Sequence, residues 1–345
     1  DWSSDVCSSD LMKTCGIIAE YNPFHAGHIH QLKQIRNQFD AIVVITSGYF
    51  SQRGLPSLLS PYDKTRLALE YGADLMCLLP VQYTCQSAEY FVKYAMESLH
   101  YLGIDALCFG SECHSIKQLD NWYQNLKAQP IDPSHSQQRS TPVRIQPNDL
   151  LAMYYVANCK NYNIEPFCIP RDSSFASATS LRQSFFDGNK EPFSQYFHIE
   201  QYWQNYYPYL KTALLLTSLA DLKTFFLVNE GIEARLKKAA QADTWESFLE
   251  QAISKNYSKA RIQRTCLMIL LQIKKAEMQN LTFQQIQVLG FNEIGQQLLK
   301  ANKGKKIITQ FHQLAPFDQD IETKTLALYN SVMKETLHRE EVVHP

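Results

Sequence analysis

An apolar run passes through an Asn-Pro turn into a polar helix start in the segment Cys15-Gly16-Ile17-Ile18-Ala19-Glu20-Tyr21-Asn22-Pro23-Phe24-His25-Ala26-Gly27-His28. Residues 14–20 predict a β-strand, and the pattern from Ala26 to Phe39 predicts a helix. In an open parallel sheet, the carboxyl edge of the strands is the usual ligand crevice. The amino end of the following helix offers unpaired N–H groups and a positive dipole end to phosphate. The segment therefore predicts a nucleotide site at the first turn of the fold.

The same alternation of strand and helix continues outward from this segment. Further strands are predicted at residues 41–46, 74–79, 104–109 and 164–169. Helices are predicted to begin near Ser60, Ser87 and Asn148, and the proline-rich stretch at 129–148 is predicted to be a loop. Regular alternation of this kind is typical of an α/β fold with a doubly wound parallel sheet.

The character of the chain changes after about residue 185. Strand-like runs disappear, and amphipathic helical patterns such as 209–226 and 261–278 dominate. Because 345 residues exceed one typical domain, we expect a nucleotide-binding catalytic domain at 12–190 and a mostly α-helical domain at 191–345. Residues 1–11 repeat Ser-Ser-Asp and lack the features of a secretory signal, so we interpret them as a non-native leader before Met12.

Composition excludes several classes of protein. No apolar run approaches 18 residues, so no membrane-spanning segment is predicted. The formal charge of −1 excludes a globally basic nucleic-acid binder and leaves only a local basic face for RNA. The nine cysteines show no CxxC spacing, which indicates reduced thiols and a cytoplasmic protein without a cysteine metal site.

His25 and His28 are the candidate catalytic residues. Being three positions apart, they lie near one face of the helix start. As donors or as cations, they could stabilise charge that develops on an α-phosphate and its leaving pyrophosphate. Gly27 has no Cβ, so a nucleotide could approach the backbone closely. The alternative is that the two histidines merely cap and pack a helix, or bind a metal.

The segment resembles the HxGH nucleotidylyltransferase superfamily, whose members form adenylates or nucleotidyl products. That superfamily carries a second feature, a Ser/Thr-rich turn that leads into a helix and ends in a basic residue. Here the run from Ala176 to Arg182 is similar to it. Ser177 and Thr179 would hold the β- and γ-phosphates, and Arg182 would counter their charge. Taken alone, the run is equally typical of a simple helix cap.

A closer resemblance rests on an ordered set of further motifs. They are Ser47-Gly48-Tyr49-Phe50-Ser51-Gln52-Arg53-Gly54, Phe109-Gly110-Ser111-Glu112, Pro147-Asn148-Asp149-Leu150-Leu151-Ala152 and Val288-Leu289-Gly290-Phe291-Asn292. From Met12 to about Gln310 the chain resembles the tRNA(Met) cytidine acetate ligase family. The resemblance implies that ATP, as its Mg²⁺ complex, and acetate give acetyl-adenylate. The wobble cytidine of elongator tRNA(Met) would then accept the acetyl group.

The resemblance also implies which residues contact ATP. The positions that match the family's contacts are Ile18, Ala19, Glu20, Tyr21, Asn22, Pro23, Phe24, His25, Ala26, Gly27, His28, Ile29, His30, Gln31, Gly110, Asn148 and Arg171.

Basic residues suggest where tRNA would bind. Arg53 follows the second strand, on the same edge as the histidines. A cluster in the helical half lies close to Tyr257, a ring that could stack on a base, and consists of Lys255, Lys259, Arg261 and Arg264. Ordinary solvated surface charge is the alternative explanation.

Two other functions stay open from sequence. One is a small-molecule adenylyltransferase of the pantetheine-phosphate or pantothenate type, which would need no basic helical domain. The other is a nucleotide- or tRNA-binding module without catalytic activity. The acetate pocket, the tRNA orientation and the oligomeric state are not indicated by the sequence.

Overall fold

The computed structural model describes residues 12–128, 145–172, 174–279 and 282–344. The interpretation of residues 1–11 and most of the loop predicted at 129–148 lie outside these ranges. Within them, no helix combines the length and the apolar character needed to cross a membrane.

The described residues form one sheet of seven strands in the order β5-β4-β1-β2-β3-β6-β7. The strands are β1 (Thr14–Ala19), β2 (Ala41–Ser47), β3 (Leu75–Leu79), β4 (Ala106–Ser111), β5 (Glu165–Pro170), β6 (Ile286–Phe291) and β7 (Ile307–Ile308). The first five run parallel. This confirms the predicted doubly wound α/β sheet and all five predicted strands. Strand order reverses between β1 and β4, so the crevice lies at their carboxyl ends.

Seven helices among the described residues lie between and around the parallel strands. They are α1 (Ala26–Arg36), α2 (Pro61–Glu70), α3 (Val81–Thr84), α4 (Ala88–Leu102), α5 (Ile116–Ala128), α6 (Pro147–Tyr162) and α7 (Ala178–Phe186). The predicted cap at Ser60 is present, because its side chain accepts a hydrogen bond from the Asp63 amide at 3.0 Å. Apolar cores cover both faces of the sheet, as buried parallel strands require.

The helical part follows α7. It contains α8 (Trp203–Leu216), α9 (Leu219–Leu222), α10 (Ile232–Ala239), α11 (Trp245–Ala252), α12 (Lys259–Leu270) and α13 (Lys275–Met278). The long patterns at 209–226 and 261–278 are each broken. Ser218 starts a new helix, and Gln272 adopts a left-handed backbone conformation with φ 54°. The core of this part is built on Trp203 stacked against Trp245, with ring centroids 4.4 Å apart.

The prediction that strands end near residue 185 is wrong, because β6 returns to the sheet. It pairs antiparallel with β3, so that Met76 lies opposite Gly290. Its partner lies more than two hundred residues earlier in the chain, and a pairing of such separation leaves no mark in local alternation. After β6 come α14 (Glu293–Ala301) and α15 (Pro316–Asn330). The division into domains at 12–190 and 191–345 stays a prediction.

The buried carboxylate of Asp74 joins both halves of the chain. Its Oδ2 accepts hydrogen bonds from Arg36 Nη1 and from the Ile42 amide, each at 2.7 Å. Its Oδ1 accepts one from Asn292 Nδ2 at 2.8 Å. The carboxylate therefore fixes α1, β2 and the end of β6 relative to one another.

We predict that Asp74→Ala lowers the free energy of unfolding by about 3 kcal/mol, because it removes the counter-ion of Arg36 and leaves buried amides without their acceptor. Urea denaturation measures the change. Asp120→Ala is the control, since Asp120 pairs with Lys160 on the surface at 2.7 Å and such pairs contribute about 1 kcal/mol or less. Equal losses in the two variants would contradict the role given to Asp74.

Candidate functional site

His25 caps the helix that begins at the carboxyl end of β1. Its Nδ1 accepts a hydrogen bond from the Gly27 amide at 3.0 Å, and its own amide donates to His28 Nδ1 at 3.2 Å. The two rings lie 3.8 Å apart, tilted by 31°. Because both Nδ1 atoms accept, both imidazoles carry their proton on Nε2. The cap thus leaves two N–H donors at the amino end of α1.

Both rings are neutral at neutral pH. Burial, and after it the nearby charge of Arg171, lower the pKa of His25 to about 4. Burial, followed by His25 and Arg171, also holds the pKa of His28 well below its usual value. Of the two possibilities left by the sequence, the structure thus favours neutral hydrogen-bond donors over cations.

Gly27 makes room for the cap. A Cβ at this position would lie 2.9 Å from His25 Cε1 and 3.0 Å from His25 Nδ1. A side chain would therefore push the imidazole away from the amide that it accepts from. The sequence predicts that Gly27 allows close approach of a nucleotide. The structure shows a second reason for a glycine here, which is room for the His25 ring.

The residues that precede His25 hold the histidine pair in place. Tyr21 and Phe24 are buried and contact the His28 ring at centroid distances of 4.7 and 5.7 Å. Asn22 anchors the turn by donating to Pro56 O at 3.2 Å and accepting from the Leu58 amide at 3.0 Å. The rings of Tyr21 and Phe24 are therefore packed inside the protein and are not exposed to a ligand.

On the β4 side, Glu112 gathers two of the residues predicted to contact ATP. Its Oε1 accepts from Asn148 Nδ2 and from Arg171 Nη1, both at 2.8 Å. The loop that carries Glu112 is held by buried Asp149, whose Oδ1 accepts from Ser111 Oγ at 2.6 Å and from the Glu112 amide at 2.9 Å. Sequence reasoning assigned no role to Glu112 or Asp149, although both lie within the motifs that it singled out.

Gly110 lies in β4 beside this cluster and faces open space. No heavy atom lies within 4 Å of where its Cβ would be. The protein itself therefore does not require a glycine there, and its backbone does not have the left-handed conformation that favours one.

The predicted phosphate turn has two of its three side chains engaged within the protein. Ser177 caps α7 by accepting from the Ser180 amide at 3.1 Å, as the simpler explanation holds. Arg182 donates through Nη1 to Asn22 Oδ1 at 2.5 Å and to Pro56 O at 3.2 Å. Burial lowers the pKa of Arg182 to about 10. Thr179 is exposed. The turn lies against α1, since the rings of Phe175 and His30 are 5.2 Å apart.

The predicted basic cluster does not act as one unit. Lys255 and Lys259 are exposed. Arg261 pairs with Glu230 at 3.1 Å and lies 4.9 Å above the Tyr257 ring. That ring is buried and its hydroxyl donates to Glu230 O, so Tyr257 does not offer the stacking surface suggested by the sequence.

Arg53 and Arg264 lie at the junction of the two halves. Arg53 is exposed on the loop after β2. The adjacent Gly54, with φ 72°, packs so closely on α12 that a Cβ would be 2.9 Å from the Arg264 amide nitrogen. The crevice edge and α12 therefore meet directly. Across the described ranges, no three His, Cys, Asp or Glu side chains are grouped so as to hold a metal ion.

Comparison with known proteins gives consistent matches over nearly the whole chain. A family model described as HIGH nucleotidyl transferase matches residues 12–342. The tRNA(Met) cytidine acetate ligase of Anoxybacillus flavithermus is 30% identical, covering 94% of this chain and 96% of that protein. The protein of the same name from Latilactobacillus sakei is 34% identical, covering 84% of each.

Solved structures show the same fold. The crystal structure of Thermotoga maritima TmcAL bound with alpha-thio ATP matches with a TM-score of 0.81 and 22% identity, covering 96% of this chain and 99% of that one. The apo structure of the same protein matches with a TM-score of 0.79 and 22% identity, covering 94% and 96%.

We predict that His25 is protonated on Nε2 alone at pH 7 and gains its second proton only near pH 4. Nitrogen NMR shifts of labelled histidine measure both properties. Unfolded protein is the reference, because an unperturbed histidine titrates near 6.5. Since the folded pKa is the lower one, the unfolded state binds more protons between these values, and stability falls as pH drops from about 6.5 to 4. A folded-state pKa near 6.5 would contradict the buried cap.

Proposed function

We infer that this chain, which belongs to the HIGH nucleotidyl transferase family together with the tRNA(Met) cytidine acetate ligases, is itself such a ligase. It activates acetate with ATP to acetyl-adenylate and pyrophosphate. It then transfers the acetyl group to the exocyclic amine of the wobble cytidine of elongator tRNA(Met), releasing AMP.

The observation that carries the proposal is the pair of neutral Nε2–H donors on His25 and His28 at the amino end of α1. In the first step an acetate oxygen attacks the α-phosphorus of ATP, and the bond to pyrophosphate breaks. Negative charge grows on the α-phosphate oxygens and on the leaving group. Two fixed donors and the helix dipole stabilise that charge without having to give up a proton.

We assign roles to the other predicted ATP contacts from their positions around the histidine pair. Gly110 leaves open space at the β4 edge for the ribose or adenine, with Asn148 and Arg171 held beside it by Glu112. Thr179 is exposed on the turn next to α1 and would meet the β- or γ-phosphate, while Ser177 and Arg182 chiefly hold that turn. Mg²⁺ would be carried by the ATP phosphates, where it offsets their charge.

The tRNA would bind across the junction of the two halves. Arg53 is exposed next to this junction, Lys255 and Lys259 are exposed just before and at the start of α12, and Arg261 contributes less because it is paired with Glu230. A cytoplasmic location, where tRNA is found, agrees with the eight cysteines in the described residues, all of which are free thiols.

Incubation with labelled acetate, ATP and bulk tRNA tests the function. Label in tRNA together with AMP release is the expected result. A small-molecule adenylyltransferase would show pyrophosphate exchange that does not depend on acetate. A binding module without catalytic activity would bind ATP and release no pyrophosphate.

We predict that His28→Ala slows acetate-dependent ATP–pyrophosphate exchange by about a hundredfold or more, as loss of one oxyanion donor does elsewhere. The dissociation constant for ATP should change far less, because the donor acts on charge that develops in the transition state. His100→Ala, an exposed histidine on α4, is the control. Equal losses of ATP binding and of turnover would show that His28 serves binding instead.

We predict that Gly110→Val weakens ATP binding at least about tenfold, which corresponds to about 1.4 kcal/mol. The melting temperature should hardly change, since no described atom beyond the chain neighbours lies within 4 Å of the new Cβ. Calorimetric titration measures the first quantity and thermal unfolding the second. Gly110→Ala, with a smaller side chain, should give a smaller loss. Normal ATP affinity in the valine variant would place the nucleotide elsewhere.

A further inference from the structure

A second group of charged residues lies on the β2 side of the crevice. The loop after β2 contacts both halves of the chain: the Gln52 amide donates to Glu20 Oε1 at 2.5 Å, and Gly54 packs on α12 at Arg264. The Trp203 indole, at the start of α8, also donates to Gly54 O at 2.9 Å. We call Glu20, Gln52, Arg53 and Arg264 the seam.

Arg264 is a half-buried cation without a counter-ion. In the part of the chain that the structure describes, no group forms a hydrogen bond or an ion pair with its guanidinium. Burial lowers its pKa to about 10, and the positive charges of Arg261 and Arg53 act in the same direction. Withdrawing a charge from water without a partner is costly, so the site is suited to an anion supplied from outside.

Glu20 is the corresponding acid. It lies directly after β1 and is partly exposed. Oε1 takes the Gln52 amide, while Oε2 forms no hydrogen bond with the residues that the structure describes. Burial raises the pKa of the Cys85 thiol. The charge of Arg264 lowers this pKa, and the charge of Glu20 raises it. That thiol donates to Ser51 O at 3.1 Å. Glu20 and the backbone of Arg264 therefore both contact the loop at residues 51–54.

The seam and the cluster of Gly110, Asn148 and Arg171 follow different strands. That cluster belongs to the β4 and β5 side, whereas Gln52 and Arg53 follow β2, and Glu20, at the end of β1, bonds to the Gln52 amide. An adenylate that lies over β4 would have its acyl carbon near β1. A nucleophile would then approach it from β2.

We propose that the seam is the subsite for the acceptor nucleotide of the RNA. Glu20 accepts a hydrogen bond from the cytosine exocyclic amine and takes its proton. Arg264, with Arg53, binds a phosphate of the same strand. This inference rests on the proposed acetyl transfer. A carboxylate is the natural acceptor for that amine, and a guanidinium binds phosphate in a bidentate manner.

In the transfer step, the amine nitrogen forms a bond to the acetyl carbon, and the bond from that carbon to the AMP oxygen breaks. AMP leaves with the electron pair, and the proton of the amine passes to Glu20 and from there to water. Because the amine lone pair is delocalised into the cytosine ring, removal of this proton is a step where a base gives a large gain.

The test compares Glu20→Gln and Arg264→Gln with Lys238→Gln, an exposed lysine on α10. Each variant is assayed for acetate-dependent ATP–pyrophosphate exchange and for acetyl transfer to tRNA. Glu20→Gln should lower kcat for transfer by about a hundredfold relative to exchange. Arg264→Gln should raise KM for tRNA in the transfer reaction about tenfold and leave the rate of pyrophosphate exchange unchanged. Arg264→Lys should recover part of the loss.

Hydroxylamine supplied in place of tRNA provides the second readout. It attacks acetyl-adenylate without help from a base, so both variants should form acetohydroxamate in proportion to their exchange rates. If Glu20→Gln loses exchange and transfer equally, Glu20 serves ATP and the inference is overturned. It is also overturned if Arg264→Gln behaves as Lys238→Gln does. Absence of acetate-dependent exchange in the native protein would refute the proposed function itself.

Discussion

The arrangement of the site depends on the backbone amides at the start of α1, which need hydrogen-bond acceptors from outside the helical bonding pattern. They are bonded by imidazole nitrogens instead of the usual hydroxyl or carboxylate. This choice has a chemical consequence, because a histidine that accepts through Nδ1 must donate through Nε2. Gly27 is needed so that the His25 ring fits, and Tyr21 and Phe24 hold the His28 ring from below. A structural requirement of the helix thereby orients two donors toward the crevice.

The second half of the chain is joined to this crevice at several points. β6 closes the sheet beside β3, and Asn292 at its end bonds to the carboxylate of Asp74. Tyr329 of α15 donates to Ser57 O at 2.8 Å, in the loop that also anchors Asn22. Because these contacts are buried, α12 stands at a fixed position against the loop after β2. The helical part can therefore contribute Arg264 to a site that the parallel sheet begins.

Charge is divided across the crevice in a way that suits two substrates. On the β4 side, Glu112 binds both Asn148 and Arg171, so the carboxylate there is already engaged. On the β2 side, Arg264 forms no ion pair with the residues that the structure describes, and Oε2 of Glu20 accepts no hydrogen bond from them. Charged groups that are already paired can position a ligand without needing it to neutralise them. An unpaired buried charge favours a ligand of opposite charge. The difference supports ATP on one side and a phosphate-bearing nucleophile on the other.

The sequence by itself determined the parallel sheet, its first five strands and the position of the histidine motif. These depend on local periodicity, on caps such as Ser60 and on the Gly27 spacing, all of which can be read within one turn or strand. Only the tertiary structure decided that β6 rejoins the sheet and that Glu112 links Asn148 to Arg171. It alone also showed that Tyr257 is covered, and that Arg264 stands unpaired beside the loop of Arg53 and Gly54. Each of these depends on contacts between residues far apart in the chain, and whether a charge is paired or exposed is a property of its neighbours in space.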